Sequence, residues 1–204
     1  MLLDLKRIIK EYNITIKNAY HIGAHFGEEY EIFKECGANK IMMFEPLESN
    51  FNVLIEKFGN HEDVILQNFA LGSGVLTTAS MYVGTENGGQ SSSMLAPKKH
   101  LEQYPHIRFN KREDVCVVKL DDFKLDDFNF ISIDVQGYEI EVFKGGLKVL
   151  KNIDAIISEV NRDDLYENCA KVDNLDNILK HFGFVRKETN WEGGNWGDAL
   201  YVKN

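Results

Sequence analysis

Basic residues are in the minority: 23 Lys and Arg stand against 32 Asp and Glu, a formal net charge of −9. Binding along a phosphate backbone needs clustered cations, so this balance argues against nucleic acid as a partner. Cysteine is scarce and shows no pairing pattern. Cys36, Cys116 and Cys169 are odd in number, far apart and without close His or Cys spacings. Neither a disulfide framework nor a zinc site is indicated, and a reducing, cytoplasmic compartment fits. No uninterrupted apolar run reads as a signal peptide or a membrane span. With only three prolines, 44% hydrophobic and 27% charged residues, the 204 residues predict one domain with a substantial core and no linker or internal repeat.

What is present alternates. "MLLDLKRIIKEY" places Leu2, Leu5, Ile9 and Tyr12 at helical spacing, which predicts an amphipathic helix within residues 1–17. From residue 19 onward, short apolar runs alternate with amphipathic stretches, the pattern of parallel strands joined by crossover helices. Strands are expected over 19–22, 40–44, 64–69, 130–134 and 155–160. The stretches "EEYEIFKECG" and "ESNFNVLIEKFG" read as helices closed by Gly37 and Gly59. Residues 72–120 break the rhythm with two strand-like runs around a polar loop, an insertion suited to a substrate lid. The end, "FGFVRKETNWEGGNWGDALYVKN", predicts an antiparallel hairpin at the sheet edge.

The loop "HIGAHFGEEY" follows the first strand and carries Gly23, Ala24, His25 and Gly27. A glycine at a strand end permits a tight turn, and a second lets a ligand approach the backbone. The third glycine of the dinucleotide fingerprint is missing, and Glu28 and Glu29 stand where a pyrophosphate would need positive potential. A nicotinamide oxidoreductase is therefore disfavoured. A phosphate-free nucleoside with a cationic group, such as S-adenosylmethionine, suits the loop; simple stabilisation of the helix start is the other role open to the glutamates. Glu45 ends the second strand 22 residues beyond Gly23, the place for an acid that accepts from two ribose hydroxyls. Pro46 either flanks the adenine or ends the strand. Asn68, in a crevice with Ala70, either donates to an adenine nitrogen or caps a turn.

Asp134 and Glu159 close neighbouring strands, so both carboxylates should face one pocket. Three roles stay open for them: acid–base work on an acceptor hydroxyl, chelation of a divalent metal with Asn161, or capping of the following helices. An apolar strand end would raise the proton affinity of Asp134. Glu139 is placed to bond back to the turn of Val135, Gln136 and Gly137. Gln90, Ser91 and Ser92 either offer donors to a polar acceptor or form a surface turn. His100 and His106 are titratable near neutrality. Trp191 and Trp196 either stack on a sugar ring or pack under the hairpin.

Taken together, "IGAHFGEE", "FEP", "NFALGSG", "GQSSSML" and above all "FISIDVQGYEIEVFKGG" followed by "IISEV" resemble the FkbM family of S-adenosylmethionine-dependent methyltransferases, over roughly residues 19–203. The resemblance implies a Rossmann-like class I methyltransferase fold: α/β, with a mainly parallel sheet of about seven strands and a C-terminal antiparallel hairpin. It implies S-adenosyl-L-methionine as cofactor, held by Gly23, Ala24, His25, Gly27, Glu45, Pro46, Asn68, Ala70 and Asp134. It also implies methyl transfer to a hydroxyl of a sugar or glycan, with Gln90, Ser91, Ser92, Gln136 and Glu159 toward the acceptor. Asp134 and Glu159 would carry the chemistry. Association or fusion with a glycosyltransferase is compatible with it, and no oligomeric state is implied. Methyltransferases of this architecture commonly have an acid where this chain has His21, so Glu28 or a backbone carbonyl would take over that contact. Non-catalytic cofactor binding and methylation of a small molecule other than a sugar are the alternatives.

Overall fold

The computed structural model describes residues 1–204. Its first element, α1 (Leu5–Glu11), starts where the Asp4 side chain accepts from the Arg7 amide at 3.1 Å, and it buries Leu5 and Ile8. The helix is shorter than the amphipathic pattern because Asn13 takes a left-handed φ of 52° just beyond its end. Then come β1 (Asn18–Ile22), α2 (Tyr30–Glu35), β2 (Lys40–Phe44), α3 (Glu48–Phe58) and β3 (Val64–Gln67). Every residue of β1 and the last four of β2 are buried, as expected of parallel strands covered on both faces. Gly37 supplies a left-handed helix stop at φ 101°, whereas Gly59 ends α3 in a right-handed conformation.

The strand expected over 64–69 is broken in two. The Asn68 amide donates to the main-chain oxygens of Glu45 and Pro46, at 2.9 and 3.1 Å. Beyond it the chain leaves the main sheet and forms β4 (Ala70–Leu71) in a second one. Here β5 (Thr78–Val83) and β6 (Lys111–Val118) pair antiparallel, in the order β4-β6-β5. The two strand-like runs of residues 72–120 are thus partners, and α4 (His100–Gln103) lies in the loop between them. Leu47 joins Ala70, Met81, Val83, Val115 and Val117 in one apolar cluster, which fixes the small sheet against the end of β2.

The chain returns through β7 (Phe130–Ile133), α5 (Glu139–Lys144), β8 (Ala155–Asn161), α6 (Val172–Lys180), β9 (Phe184–Glu192) and β10 (Trp196–Lys203). The main sheet has the order β3-β2-β1-β7-β8-β10-β9. Its first five strands are parallel, and β10 runs antiparallel to both neighbours. The terminal hairpin therefore inserts its second strand beside β8 and leaves β9 as the edge. Side chains alternate between two cores: Tyr20, Ile22, Met42 and Phe44 pack on one face, Ala19, Ile41 and Met43 on the other. Between β1 and β7 the winding reverses direction, and such a reversal opens a crevice at the carboxyl ends of the strands.

Candidate active site at the carboxyl edge of the sheet

A cavity of about 670 Å³ occupies that crevice, walled by the ends of β1, β2, β7 and β8 and by the 72–120 insertion. Gly23 lines it at φ 78°, and a Cβ at that position would lie 1.9 Å from the Asp134 carbonyl oxygen. Only glycine lets the end of β1 pack so closely on the end of β7. The amides of Gly23 and Ala24 both donate to the Phe44 carbonyl, at 3.0 and 2.9 Å, rather than toward the cavity. Gly27 answers to packing: a Cβ there would stand 2.4 Å from Phe58 Cε2 on α3. Ala24 and Gly27 are accordingly outside the cavity wall and support the loop from behind. His25 does reach the wall, in a left-handed conformation with φ 48°. Its ring sits between Glu28 Oε1 at 2.7 Å and the Gly88 carbonyl at 3.0 Å, which ties the glycine loop to the insertion.

Glu45 is 5% exposed and lines the cavity. Its Oε2 accepts the His25 amide at 2.9 Å and its Oε1 the Leu47 amide at 3.0 Å. Burial pushes its pKa up to about 7, against the opposing effect of those two amides. Each carboxylate oxygen keeps a lone pair for one further donor. Pro46 and Ala70 line the cavity beside it. Asn68 does not, because its amide is engaged with the main chain of residues 45 and 46.

Asp134 and Glu159 come together as the strand ends imply, both on the cavity wall. The buried member of the pair is Glu159, at 2% exposure, while Asp134 is open to the cavity. Burial and the adjacent Asp134 carboxylate push the Glu159 pKa well above the ordinary range. Gln136 bridges the two, its Nε2 donating to Asp134 Oδ1 at 2.8 Å and to Glu159 Oε2 at 2.6 Å. The bridge is held in place: Ser93 Oγ donates to the Gln136 carbonyl at 2.8 Å, and the buried Tyr166 hydroxyl lies 2.7 Å from Gln136 Oε1. Gln136 has a φ of 54°, an uncommon conformation of the kind that concentrates at working sites. Neither acid of the pair caps α5, and Glu139, its first residue, bonds back to the turn, its Oε1 accepting from the Val135 and Gly137 amides at 3.2 and 3.1 Å. Asn161 turns its amide nitrogen toward Glu159 Oε1 at 3.1 Å, and no three His, Cys, Asp or Glu side chains gather as a metal-ligating group.

At the end of β1, the buried His21 places Nε2 3.2 Å from Glu29 Oε2. Across the cavity lie Gln90, Ser91, Ser92, Tyr104, His106 and Trp196. Ser91 Oγ accepts from the Asn87 amide at 2.8 Å and lies 3.0 Å from Nε2 of the buried His100. Burial lowers the His100 pKa, which keeps the ring neutral. Trp196 donates from Nε1 to the Tyr104 hydroxyl at 2.8 Å, whereas Trp191 packs against the core and under Arg162.

The chain matches the methyltransferase FkbM domain model over residues 21–186. It belongs to the FkbM methyltransferase family. The cofactor of that family is S-adenosylmethionine, and this domain fits it. A buried acid with free lone pairs, Glu45, lines the cavity at the end of β2, and Leu47, Phe69, Ala70 and Met81 give the same cavity an apolar wall. The chain is 32% identical over 114 residues to the 2-O-methyltransferase NoeI of Sinorhizobium fredii, covering 54% of this chain and 46% of that one. Among solved structures, a methyltransferase FkbM from Methylobacillus flagellatus superposes with a TM-score of 0.59 at 13% identity, over 92% of this chain and 44% of that one. The magnesium protoporphyrin IX methyltransferase of Synechocystis, solved with bound S-adenosylmethionine, gives 0.54 at 10% identity, over 98% and 76%. These structures establish the class I methyltransferase fold. The chain spans less than half the length of NoeI and of the Methylobacillus protein.

Sequence reasoning missed Tyr166, which has no motif around it, and Asp198, whose position opposite Glu159 depends on β10 entering the sheet beside β8. It left Glu29 between a cationic ligand group and the helix start, and that side chain caps no helix amide.

Proposed function

We propose that this FkbM domain is an O-methyltransferase acting on a hydroxyl group of a sugar or glycan. The observation that carries the reading is the Asp134–Gln136–Glu159 arrangement facing the same cavity as Glu45. When bound, S-adenosylmethionine supplies the methyl group. Gly23, His25, Glu45, Pro46 and Ala70 would hold it, with Glu45 accepting from the ribose hydroxyls. An acceptor hydroxyl must lose its proton as the new bond forms. Asp134, open to the cavity, is placed to take that proton, and the amide of Gln136 stabilises its charge. Burial and the neighbouring Asp134 carboxylate raise the proton affinity of Glu159, which suits it to orient the acceptor beside Asp134. Gln90, Ser91 and Ser92 supply polar contacts to the acceptor, and Tyr104 and Trp196 offer faces suited to a sugar ring.

The 72–120 insertion serves in this reading as the lid over the acceptor, within a single domain. The similarity to a 2-O-methyltransferase supports transfer to oxygen. No helix is long and apolar enough to cross a membrane. In this reading the enzyme is cytoplasmic and acts on the product of a glycosyltransferase. Mass spectrometry of a panel of oligosaccharides incubated with isotopically labelled cofactor tests the proposal. A gain of one labelled methyl on a sugar hydroxyl is expected. Cofactor binding without transfer to any sugar would contradict it and favour either non-catalytic binding or a non-sugar acceptor.

A further inference from the structure

The first turn of α2 holds a carboxylate that neither the helix nor the transfer chemistry uses. Glu29 occupies the N-cap position, but its side chain caps no backbone amide. It turns into the cavity wall, with Oε2 3.2 Å from Nε2 of His21. The other oxygen, Oε1, accepts from the Met1 ammonium nitrogen at 3.1 Å, a place at the cavity mouth that the ammonium of a ligand would take over. The remaining carboxylates nearby are engaged. Glu28 binds the His25 ring and the Phe26 amide, and Asp198 accepts the Leu2 amide. On the β1 side, His21 offers no acid, and its buried Nδ1 has no partner in the protein.

Burial pulls the Glu29 carboxyl upward, but the hydrogen bonds and charges of His21 and then of the Met1 ammonium outweigh it and hold the group below the usual carboxylate range. Glu29 is therefore an ionised, half-buried acceptor across the glycine loop from Glu45. A cofactor whose ribose sits at Glu45 extends its amino-acid part along that loop, and an α-ammonium brings three donors that need a charged acceptor. We propose that Glu29 receives the α-ammonium group of the cofactor, with His21 as its positioning residue. The contact would thus come from the start of α2 rather than from an acid at the end of β1. The inference rests on the cofactor assignment above.

Calorimetric titration with two ligands separates the inference from that assignment. S-adenosylhomocysteine carries the ammonium; 5′-methylthioadenosine shares the nucleoside and lacks the amino-acid part. Glu29→Gln should weaken S-adenosylhomocysteine by about 10- to 100-fold, the loss of one charge-assisted contact, while 5′-methylthioadenosine changes by less than about twofold. Adding His21→Asp to Glu29→Gln should restore much of the lost affinity. Equal losses for both ligands, no loss for either, or a ligand-selective loss in Glu28→Gln instead would overturn the proposal. Should Glu29→Gln fail to fold, as judged by thermal unfolding, Glu29→Ala is held to the same criterion. A wild-type protein that binds neither ligand overturns the cofactor assignment itself, and this inference with it.

Discussion

Glu45 ends a buried strand next to a nucleoside-sized cavity, and its environment leaves a measurable trace in proton binding. Its pKa rises from an ordinary 4.5 to about 7 through burial, which two backbone amides only partly offset. A carboxyl with a raised folded-state pKa stabilises the fold fully below its unfolded value, and that contribution is lost as pH climbs through the folded value. For Glu45 the window runs from about 4.5 to about 7, with a size on the order of 3 kcal/mol. Glu45→Gln, which cannot ionise, should therefore gain about 2–3 kcal/mol relative to wild type between pH 5 and pH 8 in urea unfolding. A difference that does not change with pH would remove Glu45 from the buried acids. Asp134→Asn should leave S-adenosylhomocysteine affinity within about twofold and lower kcat by about a hundredfold or more, measured by methyl incorporation. Equal turnover would leave Asp134 without a role in proton transfer. The acids at 45, 134 and 159 were legible because strand ends in a parallel sheet converge on one rim. The clamp on Gln136 was not, since Ser93 and Tyr166 reach it from 43 and 30 residues away.

Glycines in the β1–α2 loop show how an element is shaped by what packs against it. Sequence reasoning set one to a tight turn and the other to ligand approach, and the structure shows a packing role for each. Gly23 permits contact between the ends of β1 and β7, and Gly27 permits contact with Phe58 on α3. Gly23→Ala puts a Cβ against a backbone carbonyl at a φ of 78°. It should lower stability by about 2–4 kcal/mol in denaturant unfolding and weaken cofactor binding, because the strand ends that frame the cavity must part. A variant with wild-type stability and affinity would show that the two strand ends are not pressed together as described. Strands β1, β2, β7 and β8 were readable from their apolar runs, and the hairpin from its Gly/Asn connection. The break after β3 was not, because one amide, that of Asn68, redirects the chain by bonding to a neighbouring strand end. Periodicity carries no information about such a bond.

At the scale of the whole molecule, the cavity concentrates buried acid. Burial pushes Glu45 up to about 7 and raises Glu159 and Asp198 on the cavity wall, and Glu139, behind that wall, is likewise pushed up to about 7. All four act with the same sign: the fold is favoured at lower pH and weakens as they ionise. His100, lowered by burial, acts in the opposite direction below its ordinary pKa of 6.5, as a single group. The melting temperature without ligand should accordingly be higher near pH 6 than near pH 8 in scanning calorimetry, and S-adenosylhomocysteine should narrow the gap by giving Glu45 ribose donors. A melting temperature that rises from pH 6 to pH 8 would contradict this account of the acids. The order of the strands, and with it the meeting of the main sheet, the small sheet and the insertion around one cavity, follows from long-range pairing that no local run of residues encodes.

Titration of S-adenosylmethionine into wild-type protein and Glu45→Ala bears most directly on the assignment of the carboxyl-edge cavity to the cofactor. The account predicts saturable binding by the wild type and a loss of about 2–3 kcal/mol in the variant, since two ribose donors lose a charged acceptor. Equal affinity of the two proteins would contradict it.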